Sequence, residues 1–160
     1  MYVFLSLGTN LGDRQKNVRT ALALLDRSMR SHFVACSEVV ETQAVGFEGP
    51  PFLNCVVCYR TRREPSRILQ ICKRIEREMG RRDAPEYDVE GERVFHDRII
   101  DIDILVIPGF SVDTENLTVP HKRLPQRPFF AELINSMLES GKIPLESERI
   151  FGKGWGKVEV

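Results

Sequence analysis

Two kinds of apolar pattern follow one another along this chain, one typical of strands and the other typical of helices. Mostly apolar runs at residues 3–7 and 52–60 predict strands, and residues 33–42 predict another. Two intervening segments show helical spacing instead, with Asp13 placed to cap the first helix, Pro65 to open the second and Gly80 to end it. The apolar stripes of these helices are Val18, Leu22, Leu25 and Met29 in the first, and Ile68, Ile71, Cys72, Ile75 and Met79 in the second.

Residues 98–107 are the most informative stretch, because a run of branched apolar residues carries Asp101 and Asp103 two positions apart. Side chains at i and i+2 lie on the same face of a strand, so both carboxylates point the same way. The apolar residues on both faces predict a central strand, covered above and below. Two such acids suit Mg²⁺, which proteins hold through one or two carboxylates plus substrate phosphates. The alternative is a polar strand end in contact with water.

The order of elements predicts an α+β fold. A βαββαβ core of ferredoxin-like type, an additional helix starting near Pro128 and a short tail account for the whole pattern, with helices packed on a mainly antiparallel sheet. Between the second helix and the acidic strand, residues 81–97 are rich in charge. We expect this segment to be a long mobile loop that closes over a ligand as a lid.

Length and composition narrow the class of protein to which this chain can belong. The chain has 160 residues, 42% of them hydrophobic, which is enough for one apolar core. We therefore expect residues 1–160 to form a single domain. The 23 basic and 23 acidic residues cancel, so nothing favours nucleic acid or a membrane surface as a partner. We expect a cytoplasmic protein, a monomer acting on small molecules. Cys55 and Cys58 lie three apart in a strand and so face opposite sides of the sheet, which predicts core packing rather than a thiol site.

Several side chains point to phosphate chemistry. Arginines and His121 flank the acidic strand in sequence, and guanidinium groups beside a metal can bind a polyphosphate. Asn54 lies in a strand, where its amide either reads the polar edge of a heterocycle or is satisfied by neighbouring loop backbone. Residues 8–12 can cradle an anion, although a plain tight turn is the favoured interpretation. Glu76 lies beside an apolar stripe, and an ordinary solvated glutamate is weakly favoured there.

These residues occur in motifs that resemble the 6-hydroxymethyl-7,8-dihydropterin pyrophosphokinase family. The resemblance runs from about residue 3 to residue 133 and implies transfer of pyrophosphate from ATP to the hydroxymethyl group of the pterin, giving AMP, in folate biosynthesis. The matching motifs are residues 6–14 (SLGTNLGDR), Glu41 with Thr42, residues 52–54 (FLN), Glu76 with Gly80 and Arg81, residues 98–104 (RIIDIDI), residues 119–121 (VPH), Arg127 and Phe129.

The resemblance also implies roles for individual residues. Asp101 and Asp103 would bind two Mg²⁺ ions that bridge the phosphates of ATP, the co-substrate, and would be catalytic together with Arg81 and Arg98. Asp101 is also a candidate for the base that accepts the hydroxyl proton. Binding of ATP would involve Leu69, Glu76, Arg81, Arg98, Ile104, Thr118, His121 and Arg127. The pterin pocket would be formed by Thr42, Val45, Phe52, Asn54, Phe95 and Phe129.

The chain departs from the family pattern at a few positions. Gln43 stands where a proline is usual, His96 and Asp97 replace a small residue and a proline, and Lys122 replaces a residue that is often aromatic or proline. Two alternatives therefore accompany the enzyme hypothesis: a protein that binds pterin or nucleotide without turnover, and a metal-dependent phosphohydrolase.

Overall fold

The sheet at the centre of the molecule has the strand order expected of a ferredoxin-like core. The computed structural model describes residues 1–80, 86–94, 97–146 and residue 150. Its elements are β1 (Tyr2–Thr9), α1 (Arg14–Met29), β2 (Ala35–Cys36), β3 (Val40–Thr42), β4 (Phe52–Arg60), α2 (Pro65–Glu78), β5 (Glu86–Tyr87), β6 (Arg93–Val94), β7 (Asp101–Val106), β8 (Val112–Asp113), β9 (Thr118–Val119), a 3-10 turn (Leu124–Gln126) and α3 (Pro128–Glu139).

Antiparallel pairing joins the main strands in the order β2, β4, β1, β7, and β3 also pairs with β4. The predicted helix signals are present: Asp13 accepts a hydrogen bond from the Lys16 N–H, and Pro65 opens α2. Gly80 has a φ of 102° just beyond α2, a left-handed conformation that favours glycine. The prediction of an α+β fold with helices on a mostly antiparallel sheet is therefore confirmed.

The sheet separates two apolar cores. One core lies between the sheet and the helices α1 and α2, and it contains Cys55, Ile102 and Ile104. The other lies between the sheet and α3, and it contains Cys58 and Leu105. The two cysteines therefore face opposite sides, as predicted from their spacing.

Three details of the predicted fold were wrong. Strand β7 is not central, because within the described residues it forms a ladder with β1 alone. The predicted strand at residues 33–42 is two short strands, β2 and β3, which pair with separate stretches of β4. The segment at 81–97 is not an open loop throughout, since β5 and β6 form a two-stranded hairpin within it. Apolar patterning reports which faces are covered but does not report the neighbours of a strand.

In the described part of the chain, none of the helices has the length and apolar character needed to cross a membrane.

Candidate active site

The candidate site is the part of the α3-side sheet face that α3 leaves uncovered. On this face Asp101 lies opposite Gly8, which in turn lies opposite Asn54, so the three form one row across β7, β1 and β4. The next row places Asp103 opposite Ser6. Because directly opposed residues project to the same face, one row brings a carboxylate and a carboxamide to a common surface with no side chain between them.

The residue without a side chain, Gly8, sets the floor of the pocket. A Cβ atom at this position would lie 3.0 Å from Asn54 Oδ1 and 3.7 Å from Phe52 Cδ1. Residues 2–9 form one continuous strand, so the interpretation of Gly8 as part of a tight turn was wrong. The positive φ of 69° occurs at Gly12 instead, where the chain turns towards α1.

A single pocket collects seven of the predicted site residues, including both aspartates and Asn54. The aromatic side consists of Phe47 and Phe52, whose rings meet edge to face with centroids 6.3 Å apart. The charged side carries the acidic pair and arginines from two segments. The full lining is Ser6, Gly8, Val45, Phe47, Phe52, Asn54, Arg98, Asp101, Asp103, Arg123, Arg127 and Phe130.

The carboxylates remain accessible, and each has a nitrogen-bearing side chain close to it. Arg98 Nη1 lies 3.1 Å from Asp101 Oδ1, with the two side chains 18% and 24% exposed. Asp103 is 31% exposed, and its Oδ2 atom lies 4.0 Å from His121 Nε2. Partial exposure leaves carboxylate oxygens within reach of a hydrated cation, and a hard oxygen donor set of this kind fits Mg²⁺.

The neutral form of His121 is favoured. Burial lowers the pKa of His121 below its ordinary value, and the nearby cations of Arg123 and Arg127 lower it further. Its Nδ1 atom accepts a hydrogen bond from the Arg123 N–H at 3.2 Å, so the neutral ring carries its proton on Nε2. That proton faces the acidic strand. Its backbone is fixed as well, because the His121 N–H donates to the Leu105 carbonyl at 2.7 Å.

Asn54 has a partner on the neighbouring strand. It is 6% exposed, and its Nδ2 atom donates to Thr42 Oγ1 at 2.6 Å. Thr42 is therefore linked to the pocket by its hydrogen bond with Asn54. The partner is a side chain of a paired strand rather than loop backbone, which was the alternative.

The structure places the remaining predicted residues elsewhere. Leu69 and Ile104 belong to the core on the α1 and α2 side, and Thr118 donates to Asp113 Oδ1. Phe130, at the start of α3, lines the described pocket, and the Phe129 ring lies beside it with ring centroids 4.3 Å apart. The ligand-binding roles of these residues stay predictions, and the predicted roles of Arg81 and Phe95 lie outside the described residues.

Glu76 is not a solvated glutamate. Its side chain is fully buried, and its Oε1 atom accepts a hydrogen bond from the Ile102 N–H at 2.8 Å. Lys73 Nζ lies 3.4 Å from the other oxygen. The carboxylate thus supports the backbone of the acidic strand from behind, between Asp101 and Asp103. Its predicted contact with ATP stays a prediction.

Sequence reasoning missed the pocket roles of Ser6, Gly8, Phe47 and Phe130, whereas Arg123 is one of the arginines predicted to flank the acidic strand. Ser6 and Gly8 had a usable signal, since both interrupt the face of an apolar strand that pairs with the acidic one. Phe47 lies in a loop and Phe130 at the start of α3, and their positions depend on the tertiary fold.

The fold and the site together define an α+β protein with carboxylates, guanidinium groups and aromatic rings around one pocket. A model of the family described as 7,8-dihydro-6-hydroxymethylpterin-pyrophosphokinase matches residues 4–139. The chain belongs to this family.

Named relatives agree with this assignment. The 2-amino-4-hydroxy-6-hydroxymethyldihydropteridine pyrophosphokinase of Porphyromonas gingivalis is 42% identical over 129 residues, covering 79% of this chain and 84% of the relative. The Bacillus subtilis protein of the same name is 35% identical, covering 79% and 71%. The mitochondrial folate synthesis bifunctional protein of Pisum sativum is 36% identical over 88% of this chain, but the match covers only 27% of that protein.

Proposed function

We propose that this protein transfers the pyrophosphoryl group of ATP to the hydroxymethyl oxygen of 6-hydroxymethyl-7,8-dihydropterin, releasing AMP, as a step of folate biosynthesis. One observation carries the proposal: Asn54 and Asp101 lie in one row across the sheet, separated by Gly8. A group that can read a heterocycle and a group that can hold a metal thus share one surface. Family membership supports the same reaction.

The pterin would occupy the aromatic side of the pocket. Phe47 and Phe52 provide apolar ring surface, and Asn54 provides an amide that can match the donor and acceptor edge of the heterocycle. The missing side chain at Gly8 leaves room for a flat ring system against the sheet. These contacts orient the hydroxymethyl group towards the acidic strand, which is the geometric part of the catalysis.

The phosphates of ATP would occupy the charged side. Asp101 and Asp103 would hold two Mg²⁺ ions, and bound Mg²⁺ supplies charge neutralisation on phosphate oxygens. Arg98, Arg123 and Arg127 face the same pocket and can bind phosphate oxygens directly. Excess positive charge around a transferred group stabilises its transition state, so the chain needs no covalent nucleophile.

The proton of the substrate hydroxyl needs an acceptor near the acidic strand. Asp101 is our candidate, and its carboxylate is held in a defined orientation by Arg98 at 3.1 Å. The neutral His121, with its proton on Nε2, can hydrogen-bond an oxygen that carries negative charge close to Asp103.

The decisive experiment measures AMP formation from ATP with and without the hydroxymethyl pterin. We expect AMP only when pterin and Mg²⁺ are both present, and loss of activity on chelation that added Mg²⁺ restores. Binding of both substrates without AMP would identify a binding protein, and ATP loss without pterin would identify a hydrolase. Either result would overturn the proposal. A monomeric state and a cytoplasmic location accompany it as predictions.

A further inference from the structure

Asn10, the residue directly after β1, is almost completely buried at 2% exposure. Its side chain has no place in the reaction proposed above. A buried carboxamide must satisfy two donors and an acceptor, and its partners therefore show which segments it joins.

All of these partners lie in two segments far away in sequence. Asn10 Nδ2 donates to Asp97 Oδ1 at 2.9 Å and to the Pro50 carbonyl at 3.2 Å. Its Oδ1 atom accepts from the Arg98 N–H at 2.6 Å, and its own N–H donates to the Arg98 carbonyl at 3.0 Å. One side chain thus ties the loop before β4 to the segment before β7.

Asp97 adds a direct contact between the same segments. A Cβ atom at Gly49 would lie 2.5 Å from Asp97 Oδ1, so the loop backbone packs directly against this carboxylate oxygen. The oxygen that Gly49 approaches is the one that accepts from Asn10. Charge strengthens this hydrogen bond, because its acceptor is a carboxylate.

Each segment carries one half of the proposed site. The loop at residues 43–51 carries Val45 and Phe47, on the pterin side. The segment before β7 contains Arg98, which forms an ion pair with Asp101 on the phosphate side. Displacement of either segment changes the hydrogen bonds of the Asn10 side chain, and the position of the other segment therefore changes as well.

We propose that Asn10 and Asp97 form a positioning pair that couples the pterin loop to the Arg98–Asp101 ion pair. The two substrates then bind cooperatively, because the first one to bind fixes a segment that the second would otherwise have to order. Neither residue touches the reacting atoms. This inference rests on the proposed function for the identity of the two ligands.

The first test measures the coupling between the ligands. Calorimetry would give the pterin affinity with and without Mg²⁺ and α,β-methylene-ATP, in which the reacting bond is blocked. We expect the nucleotide to tighten pterin binding in the natural protein, and the ratio of affinities to fall to near one in Asp97→Ala. Asp97→Asn keeps an oxygen acceptor for Asn10 and should retain most of the ratio. Glu115→Gln, at an exposed carboxylate, is the matched control.

A swap of the two side chains sharpens this test. Asn10→Asp alone places two carboxylates together and should abolish the coupling. The double variant Asn10→Asp with Asp97→Asn restores one donor and one acceptor across the pair, and it should recover part of the coupling. A merely structural role predicts that each variant loses stability without a selective change in the ratio.

A measurement without ligands separates this inference from the proposed function. Hydrogen exchange of the unliganded protein should show faster exchange of the Arg98 amide and of residues 43–51 in Asp97→Ala, and unchanged exchange in Glu115→Gln. Unchanged exchange in Asp97→Ala, or an unchanged affinity ratio, would overturn the positioning pair. Failure of the natural protein to bind pterin would overturn the proposed function instead, while the exchange result would still decide the structural link.

Discussion

The sheet face beneath α3 has two ends with opposite chemistry. At the covered end, Phe4 and Cys58 lie opposite each other and are fully buried in the α3-side core. At the open end of the same two strands, Gly8 lies opposite Asn54 and forms the pocket. The ladder of backbone hydrogen bonds is continuous between the two ends. The difference therefore lies in the side chains and in the point at which α3 begins.

Strand β7 shows the same change over an even shorter distance. Asp101 and Asp103 are half-buried and line the pocket, whereas Leu105 is 1% exposed and belongs to the core. A strand of uniform geometry can thus serve stability at one end and chemistry at the other. We therefore expect mutations at the two ends to affect stability and turnover separately.

Removing the charge at the open end should have the largest effect. Asp101→Asn and Asp103→Asn keep the side-chain volume, and each should lower turnover by about a hundredfold or more, the typical cost of losing a preorganised charge-stabilising group. Steady-state kinetics at saturating Mg²⁺ would measure it. Thermal unfolding should change little, and near-normal turnover in either variant would contradict the metal assignment.

Truncation at the covered end should have the opposite profile. Leu105→Ala removes buried methyl groups from the α3-side core, and it should cost about 2–5 kcal/mol of unfolding free energy. Urea denaturation would measure this loss. The kinetic constants of the folded protein at low temperature should stay close to normal. A large selective loss of turnover would show that the two ends are not independent.

The amide of Asn54 should affect one substrate only. Asn54→Leu keeps a similar volume but removes the amide that we propose binds the heterocycle, so pterin binding should weaken by about 1–3 kcal/mol. Nucleotide binding should be preserved, because the proposed phosphate side consists of residues from other segments of the chain. Calorimetry with each ligand separately tests both statements. An unchanged pterin affinity would make Asn54 a structural residue, serving only its bond to Thr42.

Closing the floor of the pocket should have a smaller effect. Gly8→Ala brings a methyl group to 3.0 Å from Asn54 Oδ1, so the amide must shift by a few tenths of an ångström. We expect several-fold weaker pterin binding with little change in nucleotide affinity. A combination with Asn54→Leu should show non-additive losses, since the two positions are in contact. Purely additive losses of pterin affinity would contradict the direct contact between positions 8 and 54.

Thiol reactivity should distinguish the two ends of the sheet face with the smallest change to the protein. Burial raises the pKa of Cys58 to about 12, so between pH 7 and 9 almost no thiolate forms at the covered end. A small alkylating reagent should leave Cys58 intact in the folded protein. A cysteine introduced by Val45→Cys, at a pocket-lining position that is 72% exposed, should react faster and should be protected by bound pterin. Mass spectrometry of the labelled peptides would measure both rates.

The sequence was sufficient for features that depend on local periodicity. The shared face of Asp101 and Asp103 follows from the two-residue repeat of a strand, and α2 follows from the apolar spacing behind Pro65. These signals involve residues within one turn or one strand. They therefore survive any arrangement of the rest of the chain.

The features that were missed depend on distant parts of the chain. The burial of Glu76 is explained by its bond to the Ile102 N–H, 26 residues away, and no local pattern contains that partner. The edge position of β7 depends on which strands pair with it. The pocket position of Phe47 depends on how its loop packs, and loops carry little periodic signal.

If the proposed function holds, the row of Asn54, Gly8 and Asp101 also sets a fixed distance between the two ends of the substrate. Adjacent strands are about 4.8 Å apart, so two strand spacings put roughly 10 Å between the backbones that carry the reading amide and the acidic group. Hydrogen bonds of the sheet fix this length, and loop movements cannot stretch it. We therefore expect selectivity for linker length: a hydroxyethyl homologue of the pterin should bind with similar affinity but react much more slowly than the hydroxymethyl compound.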